Sequence, residues 1–382
     1  MSLAELLFWS SLAWIAYTLI VYPGLAVLLG VVASRLRPVR KGPVTPRVSF
    51  LISVYNEEAA IERKVRQTLA LDYPAGLLEV IVASDGSTDR TDEIVQGLDD
   101  PRVTLYRAEG RLGKTAALNG AVTKATGEIL IFSDATGEFN PGAIRALVSN
   151  FADERVGCVA GRVAYRYGDD ATSAGFSGYQ RVAVAVRRAE NGFGDQTSVS
   201  GSIHAVRREL FRPGRPGFSM DVIDALHTVV QGRRVVYEYD AVSLEDSRTR
   251  AQDEFRARVR ISVRNASMAP YIVRELVGSR KLRYAFQMVS HKFMRWWLWL
   301  PLLVAFASNL ALAGQSRGYL LLAALQVAFY GCAAAGLLLA PRGVAGRVAA
   351  LAGFFLMGNA AMCVGTLRGL AGAQKPAWEP VR

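Results

Sequence analysis

Cysteine and histidine are scarce in this chain of 382 residues, with three of each, and the scarcity removes whole classes of chemistry. Cys158, Cys332 and Cys363 share no metal-like spacing, and two of them fall in apolar tail segments. Neither a disulfide framework nor a zinc site is therefore expected. His204, His227 and His291 do not pair at ligand spacing and read as non-metal residues. No basic platform interleaved with aromatics and no nucleic-acid signature occurs, so no nucleic-acid partner is expected despite a formal net charge of +12. The apolar amino terminus lacks a basic leading flank and a following small-x-small site, which argues against a cleaved signal peptide. Gly113-Lys114-Thr115 lacks the glycine a P-loop needs five residues earlier, where Ala108 stands.

What the chain has is hydrophobicity at its two ends. Apolar residues make up 51% of it, and residues 6–34 carry no charge at all. That run exceeds the ~20 residues of a spanning helix, with Pro23-Gly24 as a tolerable kink. Arg35, Arg37, Arg40, Lys41 and Arg47 follow it, so this flank is expected on the cytoplasmic side and the amino terminus outside. Residues 296–315, 318–341 and 348–367 read as three further spans. Trp296, Trp297 and Trp299 stand after Arg295 as interfacial anchors do. Arg342 and Arg347 place the last connecting loop on the cytoplasmic side, whereas Arg368, Lys375 and Arg382 leave the side of the carboxyl terminus open. The expected division is a membrane helix (1–36), a basic proline-rich linker (37–47), a cytoplasmic domain (48–250), basic interfacial helices (251–295), three spans (296–367) and a tail (368–382). Such a chain is expected to be integral to a bacterial inner membrane.

Between the ends, strand and helix alternate. Runs at 48–54, 80–83, 103–106 and 128–134 have the short β-branched and aromatic character of buried strands. Helical patterns at 59–71, 114–126 and through Ile94 separate them. This order predicts an α/β domain with a mostly parallel sheet covered on both faces. Further on, helices are expected at 144–151, 175–190 and 221–231, and strands at 156–164, 198–206 and 234–238. The strands near the start end on charged or glycine-bearing loops: Asp85-Gly86-Ser87-Thr88-Asp89, Arg111-Leu112-Gly113-Lys114 and Ser133-Asp134-Ala135-Thr136. Carboxylates at the carboxyl edge of such a sheet stand where open α/β folds bind ligands. Arg256, Arg258, Arg260 and Arg264 then recur on one stretch, either as a solvated or lipid-facing surface or as a diphosphate clamp.

Together, residues 48–58 with Tyr55-Asn56-Glu57, the 84–91 loop, Arg111 to Asn119, Phe132 to Thr136, Ser200 to Arg208 and Gln231 to Glu238 resemble the successive motifs of family-2, inverting, membrane-bound glycosyltransferases. The resemblance covers roughly residues 46–265 and implies a GT-A-like, Rossmann-type domain flanked by one transmembrane helix before it and about three after it. It also implies a nucleotide-sugar donor, a glycan or lipid-linked acceptor at the membrane lipid surface, and a divalent cation, Mg2+ or Mn2+. By position, Tyr55 and Glu57 would border the nucleobase, Asp85 the base or ribose, and Lys114 the base or diphosphate. Asp134 would take the metal, Asp221 would be the catalytic base, and Arg258 and Arg260 would hold the diphosphate. Three departures from the family pattern stand out. Thr136 replaces the second metal carboxylate, with Thr136 or Glu138 left to assist. Met220 replaces the first member of the acidic pair, leaving Asp224 one turn on as a substitute. Ala257, Arg260 and Ile261 occupy the positions of the Gln-x-x-Arg-Trp motif, so the tryptophan of processive synthases is missing. Single or limited transfer is favoured over the alternatives, a processive polysaccharide synthase or a non-catalytic membrane protein that binds sugar nucleotides.

Overall fold

The computed structural model describes residues 1–33, 37–166, 171–246, 251–339 and 343–373. Arg35, Arg342, Lys375 and Arg382, which carried part of the expected charge asymmetry, lie outside the described residues. The chain begins with α1 (Leu3–Ala16), a π-helical stretch (Tyr17–Val21) and α2 (Tyr22–Ala33). The π stretch stands just before Pro23, where the pyrrolidine ring removes one donor and crowds the preceding turn. Tyr22 N–H instead reaches back to the Tyr17 carbonyl, and the helix continues past the proline.

The domain then alternates as expected. It runs β1 (Val48–Val54), α3 (Ile61–Leu69), β2 (Leu78–Ser84), α4 (Thr91–Gln96), β3 (Val103–Arg107), α5 (Lys114–Val122) and β4 (Ile129–Asp134). β5 (Glu138–Phe139), α6 (Ala143–Ser149), β6 (Val156–Arg166), α7 (Ala171–Phe193), β7 (His204–Arg207), α8 (Met220–Val230) and β8 (Arg234–Asp246) complete it. The sheet order is β3-β2-β1-β4-β7-β6-β8-β5. β1, β2, β3 and β4 are mutually parallel, and β6 is parallel to β8. β7 runs antiparallel between β4 and β6, and β5 antiparallel to β8, so the sheet as a whole is mixed. Side chains alternate as a pleat demands. Val48, Phe50, Ile52 and Val54 bury into one core with Ile129 and Ile131, while Leu51, Leu130 and Phe132 bury into the other.

The region expected as a strand over 198–206 is shorter, because residues 198–203 form an irregular loop with an isolated Ser200–Ile203 bridge. β8, in contrast, runs well beyond 238, to Asp246, and carries Glu245 toward the end of β4.

Beyond the sheet lie α9 (Ala251–Ser279), α10 (Leu282–Gln287), a second π stretch (Met288–Phe293), α11 (Met294–Trp296), α12 (Trp299–Leu312), α13 (Arg317–Leu338) and α14 (Gly343–Leu370). Three helices among the described residues are long and apolar enough to cross a membrane: Leu3–Ala33, Arg317–Leu338 and Gly343–Leu370. The expected span at 296–315 takes another form. α12 has 14 residues, about 21 Å of helix, which is short of a ~30 Å hydrocarbon core. It passes the same test only when joined to the Leu282–Trp296 segment, from which it is bent by 58°.

Two features tie the helices to one another. A Cβ on Gly365 would come within 2.5 Å of the Val259 carbonyl, and one on Gly369 within 2.8 Å of the Val263 carbonyl, so α9 and α14 touch backbone to backbone. Glu190 on α7, fully buried, accepts from Tyr22 Oη and from His291 Nδ1, each at 2.7 Å. One carboxylate thereby joins α2, α7 and the second π stretch.

Candidate active site

A cavity of about 340 Å³ opens at the carboxyl ends of β1, β2 and β4. It is lined by Ser53, Tyr55, Glu57, Asp85, Lys114, Asp134, Thr136, Glu245, Arg260 and Arg264, among others. The parallel half of the sheet puts these residues together, because Val54 of β1 is in register with Ser84 of β2 and Ser53 with Asp134 of β4.

Asp85 continues β2 and is 6% exposed. Its Oδ1 accepts the backbone N–H groups of Leu112 at 2.9 Å and Gly113 at 2.8 Å, and its Oδ2 that of Gly113 at 3.0 Å. Gly113 has a φ of 95°, a backbone conformation that turns its N–H toward Asp85 and that a side chain would strain. Burial pushes the Asp85 carboxyl up, and the Gly113 and Leu112 donors and the Arg111 charge pull against it. The same loop lays the Arg111 guanidinium 3.9 Å from the Tyr55 ring centroid, a cation–π contact across the mouth of the cavity.

Asp134, at the tip of β4, is held from several sides. Lys114 Nζ, at the start of α5, forms an ion pair with Oδ1 and also donates to the Gly201 carbonyl at 3.3 Å. Ser53 Oγ donates to Oδ1 at 3.1 Å and Ser202 Oγ to Oδ2 at 3.0 Å. Burial pushes this carboxyl up, but Lys114 and the two hydroxyls outweigh burial and hold it below the usual carboxylate range.

The expected base, Asp221, sits in the first turn of α8. It does not line the cavity. Arg264 links the two: it lines the cavity and lies within electrostatic reach of Asp221, whose charge opposes the lowering of the Arg264 pKa by burial. The Asp221 backbone carbonyl accepts Val199 N–H at 2.8 Å, while its Oδ1 is buried without a hydrogen-bond partner. Asp224 is not available as a substitute acid. Its side chain is buried and its Oδ2 lies 3.0 Å from His204 Nε2. The other ring nitrogen of His204 lies 2.7 Å from the Ser200 carbonyl, and the ring stacks on Phe132. This pair fixes the 200–202 loop, and through it the Ser202 and Gly201 contacts to Asp134 and Lys114.

The two arginines expected to hold a diphosphate part company. Arg260 lines the cavity, whereas Arg258 does not. Arg258 Nε donates to Glu254 Oε1 at 2.7 Å, and its guanidinium lies 4.6 Å from the Phe354 ring centroid on α14. Two residues apart on a helix are ~200° apart around it, so both could not face one cavity. Arg264, one turn beyond Arg260, was legible only through that i, i+4 spacing. Glu245, Ser53 and Ser202 are the other lining or supporting groups that the motifs alone did not single out.

Residues 49–213 match the profile described as Glycosyl transferase family 2. This domain belongs to glycosyl transferase family 2. A beta-monoglucosyldiacylglycerol synthase from Nostoc sp. is 36% identical to it over 143 residues, covering 36% of this chain and 30% of the Nostoc protein. A GalNAc(5)-diNAcBac-PP-undecaprenol beta-1,3-glucosyltransferase from Campylobacter jejuni is 28% identical over 106 residues, covering 27% of this chain and 34% of that one. The chain thus spans about a third of the length of these curated relatives. A solved mannosyltransferase from Pyrobaculum calidifontis, in complex with GDP-Man and Mn2+, superposes with a TM-score of 0.69 at 23% identity, over 94% of this chain and 99% of that one. That likeness establishes a shared GT-A-like fold for the family 2 domain together with its flanking helices.

Proposed function

We propose that this chain is an inverting glycosyltransferase that moves a sugar from a nucleotide-diphosphate donor to a hydroxyl of a glycan or lipid-linked acceptor. The domain would work at the cytoplasmic face of a bacterial membrane. The observation that carries the reading is the single cavity in which Asp85, Lys114, Asp134, Arg260 and Arg264 converge at the strand ends. Tyr55, Glu57 and Asp85 border the nucleoside side of that cavity. Lys114, Arg260 and Arg264 neutralise a diphosphate as it accumulates charge on leaving.

In the transfer step the acceptor oxygen forms a bond to the anomeric carbon from the face opposite the diphosphate. The carbon–oxygen bond to the nucleoside diphosphate breaks, the leaving group takes the electron pair, and Asp221 receives the acceptor's proton. The buried, unpartnered Asp221 Oδ1 suits a group that awaits a hydroxyl. Relatives named for transfer to diacylglycerol and to a PP-undecaprenol glycan support an acceptor of this class.

The donor set also suits a divalent cation. Asp134 and Glu245 are two carboxylates lining one cavity with Thr136, and small hard cations are held by one or two carboxylates together with substrate phosphates. No group of three His, Cys, Asp or Glu among the described residues forms a self-sufficient metal site, so the diphosphate oxygens would complete the shell. Asp134 would exchange Lys114 for the ion, and the cation would offset charge developing on the diphosphate. Incubating the full chain in detergent or nanodiscs with a panel of labelled nucleotide sugars and membrane lipid extract tests the proposal. Transfer of label into a lipid or glycan product is expected; nucleotide-sugar binding without turnover of any donor would overturn it.

A further inference from the structure

A second cavity, of about 230 Å³, lies at the other edge of the sheet from the donor cavity. β6 and β8 run the same way as β4, because β7 between β4 and β6 is antiparallel to both. The cavity forms at the amino end of β8, where Arg234 pairs with Val156, whereas the far end of β8 carries Glu245 to the donor cavity. Arg37, Arg233, Arg234, Lys281 and Arg283 line it together with Asp195 and Tyr284. Local structure places them. α8 closes on Gly232, whose φ of 84° lets its N–H reach the Val229 carbonyl while Arg233 N–H reaches that of Thr228. Arg234 is 5% exposed, and its Nη1 donates to the Arg37 carbonyl at 3.1 Å and its Nη2 to that of Asn191 at 3.2 Å. Arg37 is thereby held against the domain just past Ala33, the end of α2. Asp195, also buried, accepts Val235 N–H at 3.2 Å and stands 3.6 Å from Arg283.

Three of the lining residues carry a buried donor with no hydrogen-bond partner among the described residues: Arg37 Nη1, Arg234 Nε and Tyr284 Oη. Water could satisfy such donors but not the charge, and five basic side chains line this cavity with one acid. The acids around it do not close the gap. Asp153 is paired with Arg155 at 2.7 Å. Glu154 and Glu209 lie with Arg233 around Arg207, which adds a cation of its own. Glu190 lies within electrostatic reach of Tyr284, and counting its full charge still leaves the cations ahead. Burial holds Arg37 and Arg234 below the ordinary guanidinium range; Arg283 repels Arg37, Arg37 repels Arg234, and Asp195 pulls the other way on both. Guanidinium groups match phosphate oxygens in pairs, and a phosphate brings the charge that water lacks. A water's share of the liquid is ~30 Å³, so the cavity admits a group several times larger. Its place indicates the source of such a group. Arg37 follows the apolar Leu3–Ala33 helix, and Leu282 opens the segment that leads through the 58° bend into α12. Basic residues at the polar ends of apolar segments stand at the level of lipid headgroups. We infer that the cavity bounded by Arg37, Arg234, Lys281 and Arg283 is a second anion site, which takes a phosphate and, at this place, the headgroup phosphate of an anionic membrane lipid. The site is separate from the donor cavity and does not rest on the proposed transfer. A phosphate there ties the linker after α2 to the start of α10 through one ligand.

The test uses the full chain in neutral detergent micelles. The thermal midpoint is followed on titration with dioleoylphosphatidylglycerol, dioleoylglycerol and inorganic phosphate, with UDP and GDP binding measured in parallel. Dioleoylphosphatidylglycerol is expected to raise the midpoint by a few degrees, as a ligand of the folded state does, whereas dioleoylglycerol, which lacks the phosphate, should move it by less than about one degree. Lys281→Gln and Arg283→Gln, at side chains that are not buried, should each raise the lipid concentration needed for half the shift about tenfold, and Arg283→Lys should restore part of it. These variants should keep a cooperative midpoint without lipid and nucleotide affinity within about twofold, which shows that they fold. Arg260→Gln should do the reverse, weakening nucleotide and sparing the lipid shift. Inorganic phosphate giving the same shift at the same concentration, lost in the same variants, keeps the anion site and overturns its assignment to a lipid headgroup. An equal shift with dioleoylglycerol, or a lipid shift unchanged by both Gln substitutions, overturns the site. A shift lost in Arg260→Gln and kept in Arg283→Gln overturns it as well, by placing the phosphate in the donor cavity.

Discussion

Asp85 and Asp134 in the cavity and Asp221 outside it handle charge in opposite ways. In the cavity, Asp85 takes the Leu112 and Gly113 N–H groups, and Asp134 takes Lys114, Ser53 and Ser202. Outside that cavity, Asp221 has a buried Oδ1 that accepts nothing. A site whose charges are matched in advance holds its shape before the ligand arrives, which is what positions a leaving group. A carboxylate oxygen left without a partner is free to take one from the molecule that enters. The difference gives the matched carboxylates and Asp221 different parts in the proposed transfer, and substitutions at each separate them.

The largest effect belongs to Asp221 itself. Asp221→Asn keeps the shape of the side chain and removes the proton acceptor. Transfer should fall by about 10³-fold, in the range of a lost general base, while donor binding stays within about twofold. Single-turnover transfer alongside nucleotide titration measures both. Near-normal turnover would place the base elsewhere and dissolve the contrast.

The next effect probes a buried cation under the donor side. Lys64 on α3 is 3% exposed, donates to the Gly137 carbonyl and lies over the Phe139 ring. Burial lowers its pKa to about 8, with Asp134, Glu245 and Glu138 pulling the other way. The folded protein therefore binds fewer protons at Lys64 than the unfolded chain between about pH 8 and the ordinary value of 10.5. Stability contributed by this group should rise with pH through that window, by up to about 3 kcal/mol, and level off above it. Lys64→Met, similar in volume, should flatten that rise in chemical denaturation at a series of pH values. An unchanged slope would mean that Lys64 is solvated, and that the donor side is less tightly matched than its hydrogen bonds indicate.

Asp134→Ala comes third. It leaves Lys114 without its partner, so nucleoside diphosphate affinity without metal should hold or improve, whereas the gain on adding Mn2+ should shrink by about ten- to a hundredfold. Calorimetric titration with and without the ion separates the two contributions. An undiminished Mn2+ gain would take Asp134 out of the ion's shell and leave it as the anchor of Lys114.

The same contrast explains what could be read from the chain. The donor side is built from short local signals. Alternating runs end on Asp85 and Asp134, a glycine loop precedes Lys114, and each segment's own pattern agrees with its place in the sheet. The rest depends on contacts between distant segments. Nothing local in residues 239–246 announces that β8 continues past its register shift to bring Glu245 beside Thr136. Nor does the apolar run after Arg295 reveal a 58° bend that leaves α12 short. Nor does either segment announce that His291 finds Glu190, about a hundred residues earlier, on another helix.

The smallest expected effect sharpens the comparison most finely, because it contrasts neighbours on one helix. Composition treats Arg258 and Arg260 as equals, but the phase of α9 is set by its seam with α14, where Gly365 lies against Val259 and Ser262 and Gly369 against Val263 and Ala266. Arg258 falls on that seam, close to the Gly358 backbone and over Phe354, while Arg260 and Arg264 turn to the cavity. Arg260→Gln should therefore weaken nucleoside diphosphate binding about tenfold, the worth of one charge-assisted contact, and Arg258→Gln should change it by less than about twofold. Arg258→Gln should instead loosen α9 against α14, lowering the thermal midpoint of the full chain by a few degrees while nucleotide affinity holds. Equal losses of affinity from both substitutions would mean that α9 rotates when the donor binds, and the seam glycines would then be a bearing, not a clamp.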